Sequence, residues 1–132
     1  DEFRRQHSPN ISKNGMLLIF DNEGSDEKFG ESRIVQFDLK KNKFNPDFDG
    51  NESFFFESDI RGRIQIFNNQ IYVTSSQQGE VFKLNCVNEN LKRCEPQILF
   101  SSNTEGKSNS IFVADFYNKD FFTKDFLTKI NE

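Results

Sequence analysis

One alanine, one methionine and one histidine stand in the 132 residues, with two cysteines, three prolines and no tryptophan. The shortage of alanine and methionine argues against a helical bundle, because alanine is the strongest helix former. The single histidine, His7, is far in sequence from Cys86 and Cys94, so no metal-ligating constellation of familiar spacing arises. No apolar run approaches the ~20 residues that a membrane helix needs, and Asp1-Glu2-Phe3-Arg4-Arg5 lacks the apolar centre of a signal peptide. Cations are the minority, 17 Lys+Arg against 21 Asp+Glu, for a net charge of −4. That balance argues against nucleic acid as the main partner and against a polybasic membrane patch. There is no GxSxG, P-loop or GxGxxG motif. The acidic string around Asp21, Glu23, Asp26 and Glu27 lacks the positions of an EF-hand loop and reads as a solvated loop, with weak calcium binding the alternative.

What is present is enough to form a core. Leu, Ile, Val and Phe make up about 30% of the chain, above the roughly 20% below which disorder is expected. Their patterning is that of strands. A short apolar run, Gly15 to Asp21, follows the turn signal Lys13-Asn14-Gly15. Ser32 to Leu39 alternates, placing Val35, Phe37 and Leu39 on one face. Ser53 to Glu57 is a further strand candidate after a loop over Asn45 to Glu52 that carries Pro46 and Gly50. Arg63 to Phe67, Ile71 to Thr74, Glu80 to Leu84 and Gln97 to Ser101 complete the set, separated by turns at Asn68-Asn69-Gln70 and Gln77-Gln78-Gly79.

The two passages read as two copies of one unit. Asn14 to Leu18 aligns with Asn69 to Val73, 55 positions on; Ser32 to Asp38 with Gly79 to Asn85, 47 on; Phe54 to Ser58 with Ile98 to Ser102, 44 on. The shrinking offset puts the length differences in loops, where insertions cost little. A four-stranded repeat of this length matches a β-propeller blade, which cannot bury both faces alone. The expected fold class is therefore all-β: a partial β-propeller of about two four-stranded antiparallel blades (about 7–58 and 62–102) plus the start of a third. A closing strand and tail over 108–132 would end in a short helix, with Phe122, Phe126 and Ile130 spaced along one face. The competing architecture is a small β-sandwich of about eight strands.

Cys86 and Cys94 bracket Val87 to Arg93 between two strand candidates. A hairpin could bring them to disulfide distance, and two free thiols remain the alternative. His7 admits three roles: surface residue, structural hydrogen-bonding group or nucleophile.

Gln6-His7, then Asn14-Gly15, then Leu18-Ile19-Phe20-Asp21-Asn22, then Ser32-Arg33-Ile34-Val35-Gln36-Phe37 resembles the later part of the bacterial aryl sulfotransferase family of six-bladed β-propellers. Gly79-Glu80-Val81-Phe82 is similar to a strand of the family's following blade, and the likeness covers roughly Gln6 to Leu84. The resemblance implies sulfuryl transfer from phenolic sulfate esters to phenols, through a sulfated histidine and without a nucleotide donor or other cofactor. On it, His7 is the sulfuryl acceptor, since neutral imidazole is a competent nucleophile near pH 7. Arg33 is a candidate for stabilising charge at the site, against an ordinary strand-edge role, and Asn22 a candidate for binding substrate, against a turn role. The chain then corresponds to a C-terminal portion whose partners include the remaining blades upstream, periplasmic or extracellular, and inactive by itself. The alternative is a non-catalytic propeller segment that binds a ligand or a protein.

Overall fold

The computed structural model describes residues 5–24, 28–103, 109–111 and 113–118. Eight strands follow in order: β1 (Gln6–Ile11), β2 (Met16–Asp21), β3 (Arg33–Asp38), β4 (Lys43–Phe48), β5 (Arg63–Phe67), β6 (Gln70–Ser75), β7 (Glu80–Cys86) and β8 (Cys94–Ser101). They form two antiparallel four-stranded meanders, β1-β2-β3-β4 and β5-β6-β7-β8. Among the described residues the helical content is one 3₁₀ turn, Leu91–Arg93, and no helix is long and apolar enough to cross a membrane. The expected C-terminal helix, with Phe122, Phe126 and Ile130, lies outside the described residues.

Each meander is set by its turns. Gly15, at φ +84°, closes the β1–β2 loop, with Ser12 N–H donating to Met16 O at 2.8 Å and Gly15 N–H to Ser12 O at 3.0 Å. Between β5 and β6, Asn68 and Asn69 both take the left-handed backbone, φ 49° and 59°. That is the geometry of a two-residue turn whose twist matches its strands, and asparagine tolerates it at low cost. At β3–β4, the Asp38 carboxylate accepts from the N–H groups of Lys40 and Lys41, both at 3.0 Å. These bonds, that of Lys41 foremost, hold the Asp38 carboxyl below its ordinary pKa.

Three sequence expectations need correction. The stretch around Asn45 and Pro46 is strand β4 rather than loop; it is a sheet edge, where proline's missing N–H costs no ladder bond. Ser53 to Glu57 is connection, not strand, apart from one bridge between Asn51 and Phe54. The described residues of the expected closing strand, 109–111 and 113–118, are not in a strand. One repeat register also shifts. Leu17 pairs with Phe37 and Ile71 with Leu84, so with β3 and β7 aligned 47 apart, β2 and β6 match at 54 rather than 55. On β3 the inter-sheet core takes Ile34 rather than Phe37, and Leu39 is 46% exposed in the turn.

One core joins the sheets. Leu18, Phe20, Ile34 and Phe48 from the first meet Ile64, Val73, Phe82 and Leu84 from the second, with Phe56 of the connection inserted between them. Phe56 packs edge-on to Phe20 (5.3 Å between centroids) and Phe82 (5.5 Å). β1 lies against β5, and β4 against the 3₁₀ turn.

The two sheets offer opposite faces to this core. In the first, the turn bonds of Ser12–Met16 and Leu39–Gly15 put Leu18 in a hydrogen-bonded pair with Asn10 of β1, and in a non-bonded pair with Gln36 of β3. In the second, the two-residue turn makes Phe67–Gln70 the bonded pair, so Val73 turns its peptide groups away from β5 and toward β7. Because L-residues fix which way a strand's peptide groups point for a given side-chain direction, the front of one sheet packs on the back of the other.

The outer face of each sheet is treated differently. Ile11, Leu17, Phe37 and Phe44 form a cross-strand apolar row on the first, with Phe37 and Phe44 edge-on at 4.9 Å. On the second, residues 113–118 run as a strap. Gln65 grips the peptide groups of Phe116, Nε2 donating to its O at 2.7 Å and Oε1 accepting from its N–H at 2.6 Å. Ala114 N–H donates to Thr74 Oγ1 at 3.1 Å, Arg63 pairs with Asp115 at 2.7 Å, and Phe116 stacks on Tyr72 at 4.1 Å.

Candidate functional site: the cleft between the sheets

The residues singled out in the sequence lie at one end of the first sheet. His7 is half-buried on the edge strand β1, opposite Phe20. Arg33 is 7% exposed and spans two carboxylates, its Nε 3.0 Å from Asp21 Oδ2 and its Nη1 3.2 Å from Asp47 Oδ2. Asp21 is fully buried. Burial raises the Asp47 carboxyl above its ordinary pKa, with Arg33 and Lys92 acting against that rise. Asn22 is also fully buried; its Nδ2 donates to Ser58 O and, at 2.6 Å, to Arg61 O. Ser32 extends this tie, its Oγ accepting from Ser58 N–H at 2.8 Å. Arg33 and Asn22 therefore fasten β2 and β3 to each other and to the connection. They are brought close in the sheet, and the Asn22 Nδ2 and the Arg33 guanidinium are spent inside the fold, while Asn22 Oδ1 is buried with no hydrogen-bond partner among the described residues.

Cys86 and Cys94 are joined by a disulfide. They face each other across β7 and β8, where the strands are near enough for a short covalent bridge. The bridge closes the loop that carries Val87 and Glu89, and Asn90 caps the 3₁₀ turn there through its side chain, accepting from Lys92 N–H at 3.1 Å.

At the opposite end from Arg33 the sheets part to leave a cleft of about 510 Å³, within the roughly 300–1,000 Å³ typical of small-molecule sites. Leu18, Ile66, Ile71 and Leu84 give it apolar walls. The rim comes from the β1–β2 loop, the β5–β6 turn and the β7–β8 loop, with Lys13 and Glu89 supplying one charge of each sign. Asn14 Nδ2 donates to Glu89 Oε1 across the rim at 2.9 Å.

Gln36 lines this cleft at 5% exposure. Its Oε1 accepts from Asn45 Nδ2 at 3.4 Å, and its Nε2 has no hydrogen-bond partner among the described residues. Sequence reasoning passed over Gln36 and Ile66. The available signal was a lone amide inside Ile34-Val35-Gln36-Phe37, two residues from Ile34 and hence on the core face. Among the described residues, no group of three or more His, Cys, Asp or Glu side chains is placed to hold a metal ion.

Comparison with known proteins gives no match to a family model, to a curated protein or to a solved structure.

Proposed function

We propose that this chain is a binding segment of a β-propeller-type array, with the inter-sheet cleft as its ligand site. The observation that carries the binding reading is the cleft itself: a concave site with apolar walls, the unpaired amide donor of Gln36 on its lining and a polar, charge-balanced rim. The array is supported by the front-to-back packing of two sheets with one strand order, since successive blades stack that way. The apolar row on the first sheet's outer face supports it further, because a blade is covered on both sides; the partner on that face is a further blade.

The test is a methyl-resolved NMR titration of the whole chain with small neutral aromatics. Shifts centred on Leu18, Ile66, Ile71 and Leu84, lost in Ile66→Trp, are expected. Shifts that fall elsewhere, or none at millimolar ligand, would overturn the reading.

Sulfuryl transfer is the second reading, favoured by the partial exposure of His7 on edge strand β1. In that chemistry a ring nitrogen of His7 attacks the sulfur of a phenolic sulfate. The S–O bond breaks, the phenolate leaves with the electron pair, and a second phenol takes the sulfuryl group as it loses its proton. The setting would be periplasmic, with further blades upstream. Release of nitrophenolate from 4-nitrophenyl sulfate that disappears in His7→Ala would support it; release unchanged by His7→Ala, or none with the full-length protein, would exclude it.

A further inference from the structure

We infer that the cleft selects neutral, largely apolar ligands that carry a hydrogen-bond acceptor, and that Gln36 is the residue that reads it. The inference rests on the binding reading and adds the chemical class of the ligand.

Gln36 is 5% exposed on the face of β3 that enters the core, and its Nε2 keeps some contact with solvent at the cleft. A ligand that fills the cleft takes that solvent away, and a donor dried without a partner is unfavourable, because leaving a bond unmade costs more than making one gains. The Gln36 oxygen is engaged by Asn45, which fixes the amide so that the donor nitrogen, not the acceptor, is the free end. Asn45 Nδ2 also lies 3.7 Å from Met16 Sδ, a second contact that holds the pair in this sense. Leu18 is directly opposite Gln36 across β2 and β3, and Ile71 and Leu84 face each other on the second sheet. An acceptor at the Gln36 nitrogen therefore places the rest of a ligand against aliphatic walls. Lys13 and Glu89 leave the rim without net charge, so nothing there favours an anion or a cation.

Site polarity of this kind discriminates strongly, because a ligand without the acceptor leaves the amide unpaired in a site it has dried. A matched pair tests it: 2-acetylnaphthalene and 2-ethylnaphthalene, nearly equal in shape, differ in one carbonyl. By calorimetry or NMR titration the ketone is expected to bind wild type about 3- to 10-fold more tightly, the worth of one ordinary hydrogen bond. Gln36→Met, close in volume, removes that preference, in part by tightening 2-ethylnaphthalene binding, which no longer leaves a dried amide unpaired. Should Gln36→Met fail to fold, Asn45→Ala serves instead: it frees the amide to turn, and the ketone preference falls while the hydrocarbon's affinity holds. Equal binding of both compounds to wild type, or a preference that survives Gln36→Met, overturns the selectivity and leaves the cleft a plain apolar site. No binding of either compound overturns the ligand-site reading and the selectivity with it.

Discussion

Where β2 runs out, the first sheet holds Arg33 between Asp21 and Asp47. At the matching place in the second sheet, Glu80 pairs with Ser75, and Ser75 Oγ donates to Gln78 Oε1 at 2.6 Å. At the other end the order of strength is reversed. The second sheet has a covalent bond between β7 and β8, and the first has the Asp38 turn. Two meanders of the same strand order are thus fastened at opposite ends, one by charge and one by sulfur. The lesson is that the strand order does not dictate the fastening, and that the shared core between the sheets couples two differently secured halves.

The largest test of that coupling is Phe56→Ala. Phe56 is fully buried among rings from both sheets, so truncation is expected to cost about 3–5 kcal/mol in denaturant unfolding. Phe55→Ala, at a residue 56% exposed, stays within about 0.5 kcal/mol. Similar losses for both would break the picture of one joint core.

Arg33→Ala comes next and acts on the first sheet. It removes the ion pair of the buried Asp21 carboxylate with Arg33, for an expected cost of about 3–5 kcal/mol at pH 7. Asp21→Asn with Arg33→Met restores most of it, because a neutral pair needs no counter-charge. Removing the disulfide as Cys86→Ala with Cys94→Ala acts on the second sheet. The sulfurs close a loop with a sequence separation of 8, and a loop of that size corresponds to about 2–3 kcal/mol. Amide exchange resolves the comparison: the disulfide variant should loosen β7–β8 first, and Arg33→Ala the Asn22 end of β2–β3.

Phe116→Ala removes the ring stacked on Tyr72, worth about 0.5–1.5 kcal/mol, and should expose the strap to limited proteolysis before either sheet opens. The smallest effect belongs to Glu80→Gln. Burial holds the Glu80 carboxyl above its ordinary pKa, so the folded chain keeps this proton more tightly than the unfolded chain. Stability from that group is present at low pH and is lost as pH rises from the unfolded value, near ~4.3, through the raised folded one. Glu80→Gln should therefore unfold like wild type at pH 3 and at a slightly higher midpoint at pH 7. Equal midpoints at both pH values would show that Glu80 is not strained by burial.

Much of the fold was legible in the sequence where two periodicities agreed. The turn at Asn68-Asn69 and the alternation on each side located β5, β6 and β7 closely. The first sheet was harder for identifiable reasons. Proline at Pro9 and Pro46 hides β1 and β4, since it marks loops except on sheet edges, and both strands are edges. Phe54-Phe55-Phe56 looks like a strand because three apolar residues in a row carry no period; in the fold only Phe56 is fully buried. The site was less legible still. Arg33 and Asn22 are conspicuous in sequence, yet their burial partners come from β2, β4 and the connection. Gln36 is inconspicuous, and its significance appears only once Asn45 takes its oxygen and the second sheet closes over the other side.

Gln65 holds the strap by the peptide N–H and C=O of Phe116 rather than by anything peculiar to phenylalanine. The Gln65 bonds do not depend on the side chain they hold, and the selectivity of the socket lies in the ring of Tyr72 against Phe116 and the cation of Arg63 against Asp115. Substitutions along the strap can therefore accumulate without unseating it, provided an aromatic ring and a carboxylate persist in adjacent positions.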